Sequence, residues 1–298
     1  MALIDFKVLP GIDKQDTTAG AENRWVDCDN VRFRYGLPEK VGGWSSLVTD
    51  TIAGVARREF AFVDLDGNRY VAIGTDKFLI IYFEGQLFDI TPLKATLASS
   101  TIATTNASPI CSITTSSDHN LSIGDIVLLD NVTLPVGTGF ANSDFEDKLF
   151  QVTAITSSTV FTITQSSNAT ATVSTGGSID VKPYEQVGPA EQSYGYGWGI
   201  DSWGTGNWGE AASASSVTLE PGLWSLSNFG QVLVATIANG KTFTWDSGIA
   251  ARLTTRASTT TSGFATTNNP TATRVTLVSP TTRHLIHLGT ETTIGTAS

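Results

Sequence analysis

Three tryptophans, Trp198, Trp203 and Trp208, stand at five-residue intervals in the stretch YGYGWGIDSWGTGNWGE, and each is followed by a glycine. An odd interval throws successive rings onto opposite faces of a regular strand, so the stretch must turn, and glycine supplies the positive φ that such turns need. Flat indoles can stack on nucleic-acid bases, stack on a sugar, or plug a sheet surface or subunit contact. The first use wants interleaved Lys or Arg for the phosphates, and between Glu191 and Glu210 there is none. Sugar stacking, with Asp201 and Asn207 as hydroxyl partners, is chemically sensible. Structural burial is the use most buried Trp side chains have, and it is the reading preferred here.

Other residue types that could do chemistry are sparse. Asp64, Asp201 and Asp246 could meet as paired carboxylates for glycoside cleavage, since acids distant in sequence can converge in space. Each also sits where a turn or cap needs a side-chain acceptor. Asp64, Asp66 and Asn68 mimic the start of a calcium loop, but the distant bidentate Glu of an EF-hand is missing. His284 and His287 are an odd number apart on an expected strand, which puts them on opposite faces and speaks against a shared metal. No G-x-S-x-G, P-loop or nucleotide-binding glycine pattern stands between a strand and a helix. The expectation is no catalytic residue, no cofactor and no metal.

The elements that would position these residues are strands. In VRFRY, Val31, Phe33 and Tyr35 alternate with Arg32 and Arg34, giving one apolar and one basic face. Asp27 and Asp29 are close in sequence, so an ion pair within the chain or across a subunit contact is the expected use of both arginines. Trp44 follows a Gly42-Gly43 break and is a further candidate packing contact. From Glu59 to Thr91 the sequence reads as a meander: EFAFV, RYVAIG, KFLIIYF and QLFDIT, with Asp66-Gly67 as a hairpin turn. The order recurs from Leu223 to Thr254 as LWSLSNF, GQVLVATI, KTFTWDS and AARLTT. Phe83-Glu84 and Trp245-Asp246 end the third strand of each copy before a Gly turn. Repeated four-strand units of this kind build β-propellers, because one small sheet cannot bury both faces alone.

Between the copies, residues 94–183 read as a separate small β-barrel or sandwich with strands in ICSIT, HNLSIGDIVLL, KLFQVTAIT and TVFTIT. The expected division is therefore an arm at 1–50, a first blade at 51–93, the insert at 94–183, the Gly/Trp-rich segment at 184–221, and a second blade with the start of a third at 222–298. The third unit starts at Arg283 and stops almost at once, so the sequence is expected either to be part of a longer product or to have its last sheet completed elsewhere.

Composition agrees with an all-β chain. Its 298 residues include 28 glycines and only 15% charged side chains, and Thr, Ser, Val and Ile favour strands and turns. The net charge of −10 makes general nucleic-acid and anionic membrane surfaces poor partners. No stretch reaches the length of a membrane span. Residues 1–6 lack a signal-peptide pattern, so the host cytoplasm is the expected compartment during assembly. Cys28 and Cys111 form no CxxC pattern and suggest neither a disulfide framework nor a thiolate metal site.

Several segments together resemble a known family. In order, NVRFRYGLPEKVGGW, FEGQLFDITP, the HNLSIGDIVLL to FQVTAIT insert and GYGWGIDSWGTGNWG are similar to the tail nozzle, or packaged-DNA stabilisation, proteins of tailed phages. The resemblance covers nearly all of the chain. It implies a propeller-like body with inserted β domains, packed as a homo-oligomeric ring, a hexamer, under the portal and adaptor, with packaged DNA passing through without specific binding. It implies a virion tail location and no catalytic residue. Two rivals remain: a glycan-binding receptor module using the tryptophan cluster, and a glycosidase.

Overall fold

Alternation of apolar and polar residues along short β-branched segments produces strands throughout the chain, and a single 3₁₀ turn at Asn142–Asp144 is the only helical element among the described residues. The computed structural model describes residues 8–43, 45–46, 48–188, 221–259 and 269–290. It falls into two compact units that divide between Thr49 and Asp50.

The first unit has two small sheets. β1 (Leu9–Ile12) pairs in parallel with β2 (Arg24–Trp25), and β3 (Val31–Arg34) pairs antiparallel with β4 (Leu37–Lys40). The β3–β4 hairpin turns on Tyr35 and Gly36, which both take positive φ (50° and 81°). Such a two-residue turn follows the strand twist. Tyr35 therefore belongs to the turn, not to the strand that the alternation suggests. The unit has almost no interior: Ala21 alone is buried among its described residues. Trp25 packs against Phe33 with ring centroids 6.4 Å apart.

The second unit contains a stack of sheets. The first sheet is the meander β5 (Ala56–Val63), β6 (Arg69–Thr75), β7 (Leu79–Phe83) and β8 (Gln86–Asp89), in that spatial order. Because side chains alternate, Phe62, Tyr70, Ala72, Leu79, Ile81 and Phe83 share one face, and all are buried. Following the seven-stranded module described below, the second sheet appears as β16 (Trp224–Phe229), β17 (Val232–Ile237) and β18 (Thr242–Asp246). Its Trp224, Leu226, Leu233, Ala235, Phe243 and Trp245 form one core with that face of the first sheet. A third, two-stranded sheet of β19 (Val275–Val278) and β20 (Leu285–Leu288) lies over the opposite face of the second. All six residues of β17, VLVATI, are consequently buried. A strand covered on both faces loses alternation and reads as a nearly continuous apolar run.

The module between the copies is built from β9 (Leu97–Thr104), β10 (Ile110–Thr114), β11 (Ile126–Thr133), β12 (Lys148–Gln151), β13 (Ala154–Ser157), β14 (Val160–Thr164) and β15 (Ser178–Pro183). Their order is β12-β11-β15-β9-β10-β14-β13. The two outermost strands are separated in sequence only by Val152 and Thr153. Val152 donates its N–H to Asp125 O (2.8 Å), beside β11, and Thr153 donates to Thr162 O (2.9 Å), in β14. One bent run thus pairs at both ends of the order, and the sheet curls around Ile102, Ile113, Val127, Leu129, Phe145 and Phe161. The chain enters and leaves side by side: Leu93 bridges Tyr184, Lys94 donates to Pro183 O, and Glu185 donates to Pro92 O. Ile126 and Leu128 pack with Leu87, Ile80 and Tyr184 on the outer face of the first sheet.

Two expected strands are different in the structure. AARLTT does not form the fourth strand of the second copy. Ala251 O accepts the N–H groups of Thr254 and Thr255, and the Trp245 indole donates to Arg252 O and Thr255 O, so the segment coils into turns around that ring. A short bridge from Ser258 to Thr244 takes the edge position instead. The third unit begins at Val275, ahead of the RHLIHL run. In the insert, the strand of HNLSIGDIVLL starts at Ile126, directly after the turn expected at Gly124-Asp125, and residues 119–125 ahead of it are loop.

Candidate functional site

The first strands of the three stacked sheets border a groove. β5, β16 and β19, the first strand of each sheet, run next to one another, and side chains join them. Arg57 Nη1 donates to Gly222 O at 2.8 Å. The Trp224 indole crosses beneath β6 and donates to Thr75 O at 2.9 Å. Ser225 Oγ donates to Thr276 O at 3.0 Å. Alongside runs a groove of about 690 Å³, lined by Arg58, Asn239 and Arg274 and by the apolar Trp224, Val275 and Leu277. Gly188 and Pro221 also border it. Arg58 and Arg274 both border this groove, whose lining mixes polar and apolar groups; no pair of catalytic groups is assembled there among the described residues.

A second constellation fixes the barrel to the stack. Tyr184 Oη donates to Asp89 Oδ2 at 2.6 Å, and Arg256 donates to the same carboxylate oxygen (3.0 Å), to Tyr184 Oη (2.6 Å) and to Thr91 O (3.1 Å). The guanidinium also lies 4.7 Å from the Tyr184 ring centre. Burial, and then the Asp89 charge, hold the Tyr184 phenol proton far above the ordinary tyrosine range. Lys241, between β17 and β18, pairs with Glu185 at 3.0 Å. The first sheet, the exit of the barrel and the chain beyond the second sheet thus meet in a satisfied polar joint whose groups are used up by one another.

Among the described residues that the sequence singled out, Arg32, Arg34, Asp64 and Asp246 each have a local partner. Trp44, Trp198, Trp203 and Trp208 lie outside the described residues, as does Asp201. Arg32 pairs across its hairpin with Glu39, Nε to Oε2 at 3.1 Å, which holds the guanidinium above its ordinary range. Its partner is neither Asp27 nor Asp29. Asp27 pairs with Lys14 at 3.0 Å. Arg34 lies over the Tyr35 ring at 5.4 Å. Asp64 accepts the N–H groups of Asp66 (2.9 Å) and Asn68 (2.8 Å) and the Asn68 amide (2.9 Å), the full complement of a turn acceptor. Burial opposes ionisation there, but these donors outweigh it and lower the carboxyl's pKa. Asp246 accepts Gly248 N–H at 2.8 Å.

Folding creates two groupings that sequence spacing conceals. Asp130, Glu146 and Asp147 bring carboxylate oxygens within 4.8 Å of one another on the barrel. The Lys182 ammonium is bonded to Asp130 and lowers its pKa. Glu146 accepts the N–H groups of Asn131 and Val132. His119 is buried in the barrel, where Nδ1 accepts Leu121 N–H (2.9 Å) and Nε2 therefore carries the proton it donates to Ser157 O (3.0 Å). Cys111 is buried in the barrel core, and burial pushes its thiol up to about 11. Both cysteines are free.

Compared with protein-family models, the chain matches none, and no curated protein matches it significantly. Among solved structures it is similar to the phage phi92 endosialidase, at 13% identity and a TM-score of 0.25, over 60% of this chain and 26% of that one. The chain spans about a quarter of the length of that protein.

Proposed function

We propose that this chain is a non-enzymatic structural protein of a phage tail. It acts as one copy in a ring that continues the DNA channel below the portal and adaptor and helps to retain and release the packaged genome. The observation that carries this reading is the series of stacked blade-like sheets, the second covered on both faces, with a β-barrel inserted after the first. That is the body implied by the ordered sequence resemblance. The polar joint at Asp89, Tyr184 and Arg256 supports it further, because it makes the barrel a fixed part of the body. Gold-labelled antibody against this chain, imaged on purified virions, tests the assignment. Label on the tail axis beneath the head is the expected result. Label at fibre tips, together with binding of the isolated chain to host polysaccharide, would replace it with the glycan-binding reading.

A further inference from the structure

The third sheet is held on the second by hydroxyl groups. Across the seam, Ser225 Oγ donates to Thr276 O (3.0 Å) and accepts Thr276 N–H (3.2 Å), while Val278 N–H is 3.2 Å from Ser227 Oγ. Between the sheets a chain of side chains runs from Thr242 Oγ1 to Thr236 Oγ1 (2.9 Å), to Thr276 Oγ1 (2.7 Å) and to His287 Nδ1 (3.3 Å). Thr273 Oγ1 also approaches Nδ1, at 3.5 Å. Thr236, Thr242, Thr273 and Thr276 are all buried. Each hydroxyl has one proton to give. With His287 neutral and its Nδ1 lone pair free, every donor in the row can point toward the ring.

We propose that this seam is a proton-operated latch: protonation of His287 converts the terminal acceptor into a donor, reverses the hydroxyl row and loosens the β19–β20 hairpin from the second sheet. Among the described residues, the groups facing the imidazole are uncharged. They are Thr276 of β19 and Thr273 ahead of it, with Thr236 of β17 and Thr242 of β18 behind and Ser225 of β16 bonded to the β19 backbone. Among the described residues of the hairpin and its flanks, the titratable and cationic groups are Arg274, Arg283 and His284, and none of these could neutralise an imidazolium. No carboxylate among the described residues is bonded to the ring. Burial holds His287 below the ordinary histidine value of 6.5. The sign follows from the proton count: below about 6.5 the undocked hairpin binds more protons than the docked one. Docking is fully favoured above that pH and weakens as pH falls toward the lowered value, by at most about tenfold per pH unit.

Amide hydrogen exchange of the whole chain, read by mass spectrometry at pH 7 and pH 5.5 and corrected for intrinsic rates, tests the latch. In acid, peptides covering 275–288 should lose several-fold protection, while those from β6–β7 and β11 do not. His287→Asn keeps an acceptor oxygen near the Nδ1 position and cannot titrate, so its hairpin should be protected equally at both pH values. His284→Asn should behave as the unmodified chain. Equal acid loss in His287→Asn, or none in the unmodified chain, overturns the proposal. If His287→Asn is already loose at pH 7, NMR titration of the unmodified chain decides instead, and an imidazole titrating at or above 6.5 overturns it.

Discussion

At the scale of single residues, the contact between the first two sheets depends on what is missing from Gly74. A Cβ there would lie 2.5 Å from Trp224 Cδ1 and 2.9 Å from its Cβ, and the indole cannot retreat without losing its bond to Thr75 O. Gly74→Ala should therefore destabilise the chain by about 1–3 kcal/mol, seen as a lower melting temperature. In a Trp224→Leu background, where the ring is gone, the same change should cost much less; equal costs in both backgrounds would place the strain elsewhere. A second residue-scale effect concerns Asp125, almost wholly buried in the barrel wall. Burial raises its pKa, and the Ser122 N–H bond, Lys94 and His119 offset this only in part. A raised carboxyl contributes stability at low pH that is lost as pH rises through its folded value. Asp125→Asn, which can still accept Ser122 N–H, should melt higher than the unmodified chain at pH 7, and the two should converge below about pH 3.8.

Among the elements, the meander of the first sheet was legible because each strand has one face against a partner and so keeps its alternation. β16 to β18 were legible as a copy of that pattern. AARLTT was misread because β propensity and repeat logic both favoured a strand, and neither can register that the Trp245 indole, 1% exposed, takes the carbonyls of that segment as its acceptors. The candidate site was less legible than the fold. Asp89, Tyr184 and Arg256 come from three separated segments, and nothing in their spacing announces that they meet. Arg32 found a partner in Glu39 because the Tyr35-Gly36 turn sets them directly opposite, a register that depends on turn geometry more than on nearness in sequence. The barrel, with a core of its own, should fold alone: residues 94–183 expressed as a separate chain should give a dispersed amide NMR spectrum. A spectrum without dispersion would mean that the packing of Ile126 and Leu128 on the first sheet is required.

For the whole molecule, charge is the quantity that bears on the proposed channel. A chain with a net charge of −10 that guides a duplex should repel it over about 8 Å at physiological ionic strength and tether few phosphates. The purified chain is therefore expected to leave duplex DNA unshifted in a gel assay at about 0.15 M salt. Retention of DNA at that salt would argue against a sliding surface and direct attention to Arg58 and Arg274. The paired entry and exit of the barrel, Leu93 beside Tyr184, also matters while the chain is folding. The first and second sheets must find each other across the whole inserted segment, and closing so long a loop is slow and entropically costly. Once the barrel has closed on its own local contacts, its two ends are already neighbours, and the intervening residues no longer count toward the search. The order of events then follows from topology: the inserted domain folds early and turns a distant pairing into a near one, so a mutation that slows barrel closure should slow assembly of the sheet stack even where it leaves every contact within that stack unchanged.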